Sequence, residues 1–487
     1  MAEQTPDGPR AAAIGPRFDV PADWVVPELA SLVPAGGVVE AQHVTRKSTY
    51  FDTAQYDLLA SGVALRQRTG DADAGWQLQY PAGNAQTELR LPLGRGQAVP
   101  RELQQLVVGI GAGAALGPVA IVDTERTVRR IVAASSSVMG EVIDDEVTAT
   151  VLGDAVQILH WREVGVALVD GDEQFVDHVA RRLKNCGASR SAAASKIARV
   201  LAVAEPEHRS AASLQGLISV YLNAQRDAIV SGDLELRRDR DVIHSTRVGT
   251  RRFRSILRVF AEEFEASRAH ALDVELAWYA ELLGQVRDRQ VLRAHLESVL
   301  DSLHPEIVLG PVVTRVDQTL TSQERQARVA LTQAMASKRY FALLSELRAW
   351  HDCAPFVRPD RSAGDVAEFV EAAERQVNKR LRQASQAEHP NEAMHRARKA
   401  AKRARYAAEL AEAALGKSAH KLVKHTKKLQ EELGALQDSV VAAEFLRRVG
   451  AQAGTTPGEN GFTFGVLWGY EQERGRAVTL AARKAVS

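Results

Sequence analysis

The chain has 487 residues, of which 45% are apolar and 25% charged, the composition of an ordinary water-soluble protein of two to four domains. Lys and Arg number 62 against 61 Asp and Glu, so bulk charge excludes a protein that coats nucleic acid through net positive charge. Two cysteines, Cys186 and Cys353, exclude a disulfide framework or a cysteine-built zinc site, and a reducing, cytoplasmic setting is expected. No membrane partner is expected either. The longest apolar run, Leu106 to Val122, is interrupted by four glycines and Pro118, and Met1 to Arg10 lacks the apolar core of a secretory signal.

The average charge conceals two different halves. Residues 1–204 hold 19 basic and 24 acidic residues and three histidines, whereas the remainder is net basic and holds ten histidines. In the first half, Val63 to Thr69, Gly75 to Tyr80, Thr87 to Leu91 and Trp161 to Val169 alternate as strands do, with Arg66 and Arg68 on one face of the first. Pro100 to Gly111 and Gln174 to Asn185 read as helices. Charge on the second face of several strands points to an antiparallel barrel with a polar interior. Arg199 to Glu205 reads as the interdomain linker. The second half shows helical periodicity broken at Glu205-Pro206, His304-Pro305, Pro355 to Gly364 and Gly450 to Gly461.

An internal repeat runs through that second half. The pattern His-x2-Arg-x3-[Arg/Lys]-Arg-x-Arg occurs as His244, Arg247, Arg251, Arg252, Arg254, and again as His395, Arg398, Lys402, Arg403, Arg405. Downstream, Leu283-Gly-Gln-Val-Arg-Asp288 matches Leu433-Gly-Ala-Leu-Gln-Asp438, at separations of 44 and 43 residues from the histidine. At ~100° per residue, His244, Arg247, Arg251, Arg254 and Arg258 form one stripe about 21 Å long. Phe253, Ile256, Leu257 and Phe260 lie opposite and are expected in the core. The second copy sets Ala397, Ala400, Ala401, Ala404 and Ala408 opposite its basic stripe, and a further basic run follows that includes Lys421, Lys424 and Lys428.

Solvated charged helix faces usually interleave acids one turn away. None occurs from Val242 to Ala261 or from Ala393 to Ala408. The stripes therefore call for an external anion, or for acids from another helix, with Asp288 and Asp438 as candidates. Arginine forks suit phosphate oxygens, and a line of them suits a linear polyanion.

Val242 to Arg258 and His395 to Tyr406 resemble the paired motifs of the CHAD domain, the conserved histidine α-helical domain. The resemblance covers about residues 208–482 (repeats about 208–352 and 365–482). It implies two pseudo-twofold-related four-helix bundles and binding of inorganic polyphosphate, with association with polyphosphate granules. By matching position it assigns the ligands to His244, Arg247, Arg251, Arg254, His395, Arg398, Lys402 and Arg405, and the basic runs of this sequence add Arg252, Arg258, Arg403, Lys421, Lys424 and Lys428 as further candidates. Residues 12–202 resemble the CYTH, or triphosphate tunnel, domain through Thr49 to Thr53, Leu65 to Gly70, Glu88 to Leu93 and Ser195-Lys196. The fold class is thus α+β, a tunnel-like β-barrel followed by an all-α domain.

The tunnel copy departs from the family pattern. The opening Glu-x-Glu-x-Lys is Ala13-Ile-Gly15-Pro-Arg17 here, and the later Glu-x-Glu-x-Glu is Glu163-Val-Gly165-Val-Ala167. Arg66, Arg68, Arg90, Arg126 and Lys196 remain as anion-binding candidates. Glu141, Asp145 and Glu163 are weak candidates for a metal. Mg2+ or Mn2+ is implied only for a catalytic tunnel, and no cofactor is required for polyanion binding. A metal-dependent triphosphatase is the alternative. A nucleic-acid binder or scaffold is a second alternative, disfavoured because no aromatic platform flanks the stripes.

Overall fold

In the computed structural model the chain divides into two compact units, residues 1–205 and 206–487. The structure describes residues 13–201, apart from short breaks at 30–32, 34–35, 83–84, 95, 97, 154–155, 171–172 and 194, and residues 212–486 apart from 388–389. Most of the expected linker and its Glu205-Pro206 break lie outside the described residues.

The first unit is built on β1 (Ala13–Val20), β2 (Val38–Asp52), β3 (Ala64–Thr69), β4 (Gly75–Ala82), β5 (Ala85–Leu91), β6 (Gly117–Val132), β7 (Val138–Val151), β8 (Gln157–Leu168) and β9 (Ser189–Arg190). Its short helices are α1 (Asp57–Ala60), α2 (Arg101–Val107), α3 (Glu173–Asn185) and α4 (Lys196–Val200). Arg199 and Val200 thus close a helix instead of opening a linker. All strands join one antiparallel sheet in the order β5-β4-β3-β2-β6-β7-β8-β1-β9. The hydrogen-bonded series begins at β5 and ends at β9, with no ladder between them among the described residues.

The three longest strands, β2, β6 and β7, were the least visible in the sequence. Their inward faces mix charge with small apolar residues, so polar and apolar residues do not simply alternate. One sheet face packs Phe18, Ile131, Val142, Val164 and Val166 against Phe175, Val179 and Leu183 of α3. The register gathers Arg46, Arg66, Arg68, Gln77, Arg90, Arg126, Glu141, Asp145 and Glu163 on the other. There α4 lays Ile197 and Val200 on Tyr50, Ala120, Val122, Val147 and Ala149. Gly75 opens β4 at φ +155°, where a Cβ would stand 2.6 Å from the Leu91 carbonyl oxygen, so this crossing requires glycine.

The second unit has helices and no strand among the described residues. The first group is α5 (Leu214–Arg237), α6 (Ile243–Val259), α7 (Ala266–Ser302), α8 (Val312–Met335) and α9 (Lys338–Asp352). The second is α10 (Val366–Ser385), α11 (Pro390–Leu415), α12 (Lys417–Ala453) and α13 (Phe462–Val486). The first group carries a fifth helix, α9, beyond the expected four. Gly450 lies inside α12, whose helix continues to Ala453, so the expected break starts four residues later. Ser213 and Ser337 cap α5 and α9, their hydroxyls accepting from the Gly216 and Tyr340 amides.

Between the groups, α6 packs on α11 and α7 on α12, so matching helices meet. The expected core residues Phe253, Ile256, Leu257 and Phe260 are fully buried, and so are Ala397, Ala401, Ala404 and Ala408. The alanine face of α11 packs against Val377 and Leu381 of α10 and Leu433 and Leu436 of α12. α7 and α12 each contain 37 residues, about 55 Å of helix, and each runs through more than one core. At their far ends Leu296, Val299 and Leu300 join Phe445, Leu446 and Val449 with Val312 and Val316 of α8 and Phe464 and Leu467 of α13. Leu446→Ala, in this shared core, should cost about 2–5 kcal/mol, read as the loss of unfolding free energy in denaturant titration.

Candidate functional site

The candidate site is the line where α6 meets α11. Arg247 of α6 lies across Gly284 of α7. A Cβ at that glycine would stand 3.1 Å from an Arg247 Nη, and the other Nη of Arg247 donates to Asp288 at 2.9 Å. The same arrangement recurs in the second group. Arg398 lies across Gly434 of α12, where a Cβ would stand 3.2 Å from its Nη, and Asp438 supplies the facing acid. Arg287 acts on His244, whereas Gln437, at the matching position, hydrogen-bonds His395. The downstream motif found twice in the sequence is therefore the seat of the upstream one: glycine admits the arginine, aspartate faces it, and the residue before the aspartate meets the histidine.

Arg251 and Lys402 stand between these two seats. Arg251 donates through Nε to the Tyr406 hydroxyl at 2.9 Å, and its guanidinium lies 5.8 Å from the Tyr406 ring centroid. Lys402 makes no ion pair or hydrogen bond among the described residues. Burial, then Arg251, Arg398 and Arg247, push its ammonium down to about 7, against the pull of Asp438. Burial, with Arg251 and Arg247, lowers Arg398 against the pull of Asp438. Both histidines are lowered too, His244 by burial, Arg287, Arg251 and Arg247, and His395 by burial, Lys399, Arg398 and Lys402. Arg398 Nε and His395 Nδ1 are buried and have no hydrogen-bond partner among the described residues. Along this α6–α11 line positive charge and buried donors exceed what the described residues satisfy.

The stripe continues along α6. Arg254 and Arg258 share Asp273 of α7, at 3.0 and 2.7 Å, and Arg403 of α11 faces the same trio together with Arg380 of α10. Arg403 is lowered by burial and by Arg258 and Arg254, with Asp273 opposing.

Not every expected ligand belongs to this line. Arg252 and Arg405 turn to Glu409, at 3.0 and 2.8 Å, which also accepts from the Tyr221 hydroxyl at 3.0 Å. Both guanidiniums share that one carboxylate, away from Lys402. Lys421, Lys424 and Lys428 are exposed on α12, and helix periodicity turns them roughly 80–140° away from Gly434. Sequence reading had no role for Tyr406, Asp273, Arg287 or Gln437. The matched Gly-x2-[Arg/Gln]-Asp spacing was the available signal for the last two.

The polar face of the sheet is balanced instead. Arg126 makes a bidentate pair with Asp145 at 2.7 and 2.7 Å, and Lys196 of α4 bonds both Asp145 and Glu163. Trp161 Nε1 donates to Glu163 at 2.8 Å. Burial alone would raise both carboxyls, but Lys196 and Arg126 hold Asp145 below its ordinary value, and Lys196 and Trp161 do the same for Glu163. Glu141 accepts from Arg130 at 2.9 Å. Arg90 pairs with Asp73 and Glu88, Arg68 with Asp73, Arg46 with Asp71, and Arg66 donates to Gln77. Burial, Arg66 and Arg46 bring Arg68 down to about 10. The anion-binding candidates of this face are thus on one surface, each already engaged by a neighbour.

Two pieces of the chain have recognised families. Residues 29–201 match the CYTH domain and residues 220–447 match the CHAD domain. Over 500 residues the chain is 34% identical to the uncharacterized protein Rv2226 of Mycobacterium tuberculosis strain H37Rv, covering 97% of this chain and 95% of that one. It is equally similar to the uncharacterized protein MT2285 of strain CDC 1551 of the same species. The chain belongs to the CYTH–CHAD proteins. Among solved structures, PptA from Streptomyces chartreusis is similar at 18% identity and TM-score 0.48, over 56% of this chain and 99% of that one. The CHAD domain from the plant Ricinus communis is similar at 25% identity and TM-score 0.46, over 56% and 92%.

The groove should cost the empty protein stability. Lys402 is held below its unfolded value near 10.4, so its destabilising effect grows as pH falls from there and is complete below about 7. Lys402→Met should therefore stabilise the protein by roughly 1–3 kcal/mol at pH 6 and by much less at pH 10, measured by denaturant titration without added anion.

Proposed function

We propose that this protein binds inorganic polyphosphate along the α6–α11 groove of its helical domain. The observation that carries the reading is the convergence of Arg247, Arg251, Arg398 and Lys402 from two helices on one line, where charge and buried donors exceed what the protein supplies in return. Close packing of like charges is unfavourable in the free protein and becomes favourable when a polyanion enters. Guanidinium forks match phosphate oxygens, and continuation through Arg254, Arg258 and Arg403 fits a chain of phosphates better than a single one.

Each contact displaces counterions, as in binding to a nucleic-acid backbone, so affinity should fall steeply and log-linearly with salt. Reversing charge at Arg251 and Lys402 together should weaken binding of long-chain polyphosphate at least tenfold more than the same change at Arg315 and Arg325, in titrations at fixed ionic strength. A salt-insensitive affinity, or one indifferent to the Arg251/Lys402 reversal, would place the polyphosphate elsewhere.

The sheet domain does not fit a catalytic metal. A divalent cation of the Mg2+ or Mn2+ kind needs free carboxylate oxygens. Those of Asp145 and Glu163 hold Lys196 and Arg126, and that of Glu141 holds Arg130. Positions 13, 165 and 167 offer no donor side chain. At Gly15 a Cβ would stand 2.8 Å from the Val166 carbonyl oxygen and 3.3 Å from Val176, so β1 would have to move to carry a carboxylate there. Phosphate release from tripolyphosphate should therefore stay at the buffer background with Mg2+ or Mn2+. Robust turnover abolished by Glu163→Gln would restore the triphosphatase reading.

A further inference from the structure

Position 402 is where the two motif copies differ in kind. The first helix carries Arg251 there, and the second carries a lysine. Arginine keeps its charge in any protein environment, whereas lysine surrenders it when burial and like charges oppose it. The groups around Lys402 come from several helices. α6 contributes Arg247 and Arg251, its own helix contributes Arg398, and α12 contributes Asp438. His395, two turns earlier on α11, is itself lowered by Lys402. Of the remaining elements, α10 places Arg380 beside Arg403, α5 places Tyr221 on Glu409, and Asp288 of α7 is engaged by Arg247. The geometry agrees: Arg398, one turn before Lys402, lies across Gly434, Tyr406, one turn after it, accepts from Arg251 at 2.9 Å, Arg247 lies across Gly284, and no ion pair holds the Lys402 Nζ among the described residues.

Resting on the polyphosphate reading above, we propose that Lys402 is a proton-coupled ligand, neutral in the empty groove and protonated in the bound one, so that each bound polyanion takes up one proton from solvent. Phosphate oxygens supply the counter-charge the groove lacks and return the amine to the ammonium form. The sign follows from linkage. The free amine titrates at about 7 and the bound one higher, so affinity is greatest at and below neutral pH and weakens as pH rises between the two values. From about pH 7 to 8.5 the loss is roughly tenfold. Burial and neighbouring cations lower both His244 and His395, so neither is expected to carry a pH dependence above neutrality. Terminal phosphates titrate near ~6 and are few on a long chain.

The test is isothermal titration of the full chain with long-chain polyphosphate at pH 8, in two buffers of different ionisation enthalpy. The wild type should take up close to one proton per site. Lys402→Arg should keep tight binding at pH 7, lose the uptake and hold its affinity up to pH 8.5. Uptake near zero with intact wild-type binding, or uptake unchanged in Lys402→Arg, overturns the role of Lys402 and leaves the polyphosphate reading standing. No binding at any pH overturns both. If Lys402→Arg fails to fold by circular dichroism, the wild-type uptake decides alone, with His304→Gln, exposed and away from the α6–α11 line, as the variant expected to leave it unchanged.

Discussion

The helical domain depends on holding Arg247, Arg251, Arg398 and Lys402 together against their mutual repulsion. The force that does so is apolar burial on the far sides of the same helices. Phe253, Ile256, Leu257 and Phe260 seat α6 in one core, and the alanine face of α11 packs tightly on α10 and α12. Alanines bring helix axes close, and that closeness makes the charges act on each other strongly. Gly284 and Gly434 complete the arrangement by letting two guanidiniums lie flat on α7 and α12 instead of reaching into solvent. The electrostatic cost is thereby concentrated along one line while the rest of the domain is conventionally packed.

The sheet domain answers the same kind of charge differently. Arg66, Arg68, Arg90, Arg126 and Lys196 sit on a face with Glu88, Glu141, Asp145 and Glu163, with Asp71 and Asp73 paired to it, and the β6–β7 ladder brings opposite signs into register. Asp145 is opposite Arg126 on one neighbour and Glu163 on the other, and Lys196 closes over both carboxylates. Where the CYTH pattern would leave carboxylates open to a cation, this chain has spent them on its own basic groups. One domain is therefore electrostatically complete and the other is not.

How much of this was legible in the sequence depended on periodicity. Offsets of 3, 4 and 7 residues placed the basic stripe and the opposing Phe253 and Ala397 faces correctly, because an α-helix fixes direction from spacing. Aligning the two copies identified Asp288 and Asp438 as facing acids. The same reasoning failed where direction is set by a partner. Arg254 stays on the groove line beside Asp273 of α7, whose counterpart on α12 is Val423, while Arg405 turns to Glu409, one turn ahead on its own helix where Arg254 has Arg258. Lys421, Lys424 and Lys428 were grouped by abundance, although their angle to Gly434 was computable from numbering. Strands β2, β6 and β7 escaped notice because a sheet face that is charged at one end and apolar at the other has no simple period of two.

The two 37-residue helices have a mechanical consequence. Because α7 and α12 each thread successive cores, two of the cores draw on both helix groups: Tyr406, Ala407 and Ala411 of the second group complete the core of the first, and the far-end core joins α7 and α8 to α12 and α13. Loosening one group exposes apolar surface in the other, so the two should not melt one after the other as independent repeats do. They should unfold as a single cooperative body in which a local defect is felt along about 55 Å of helix. A groove built across such a body keeps its two walls in step, and its width is governed by the shared scaffold instead of by either helix alone.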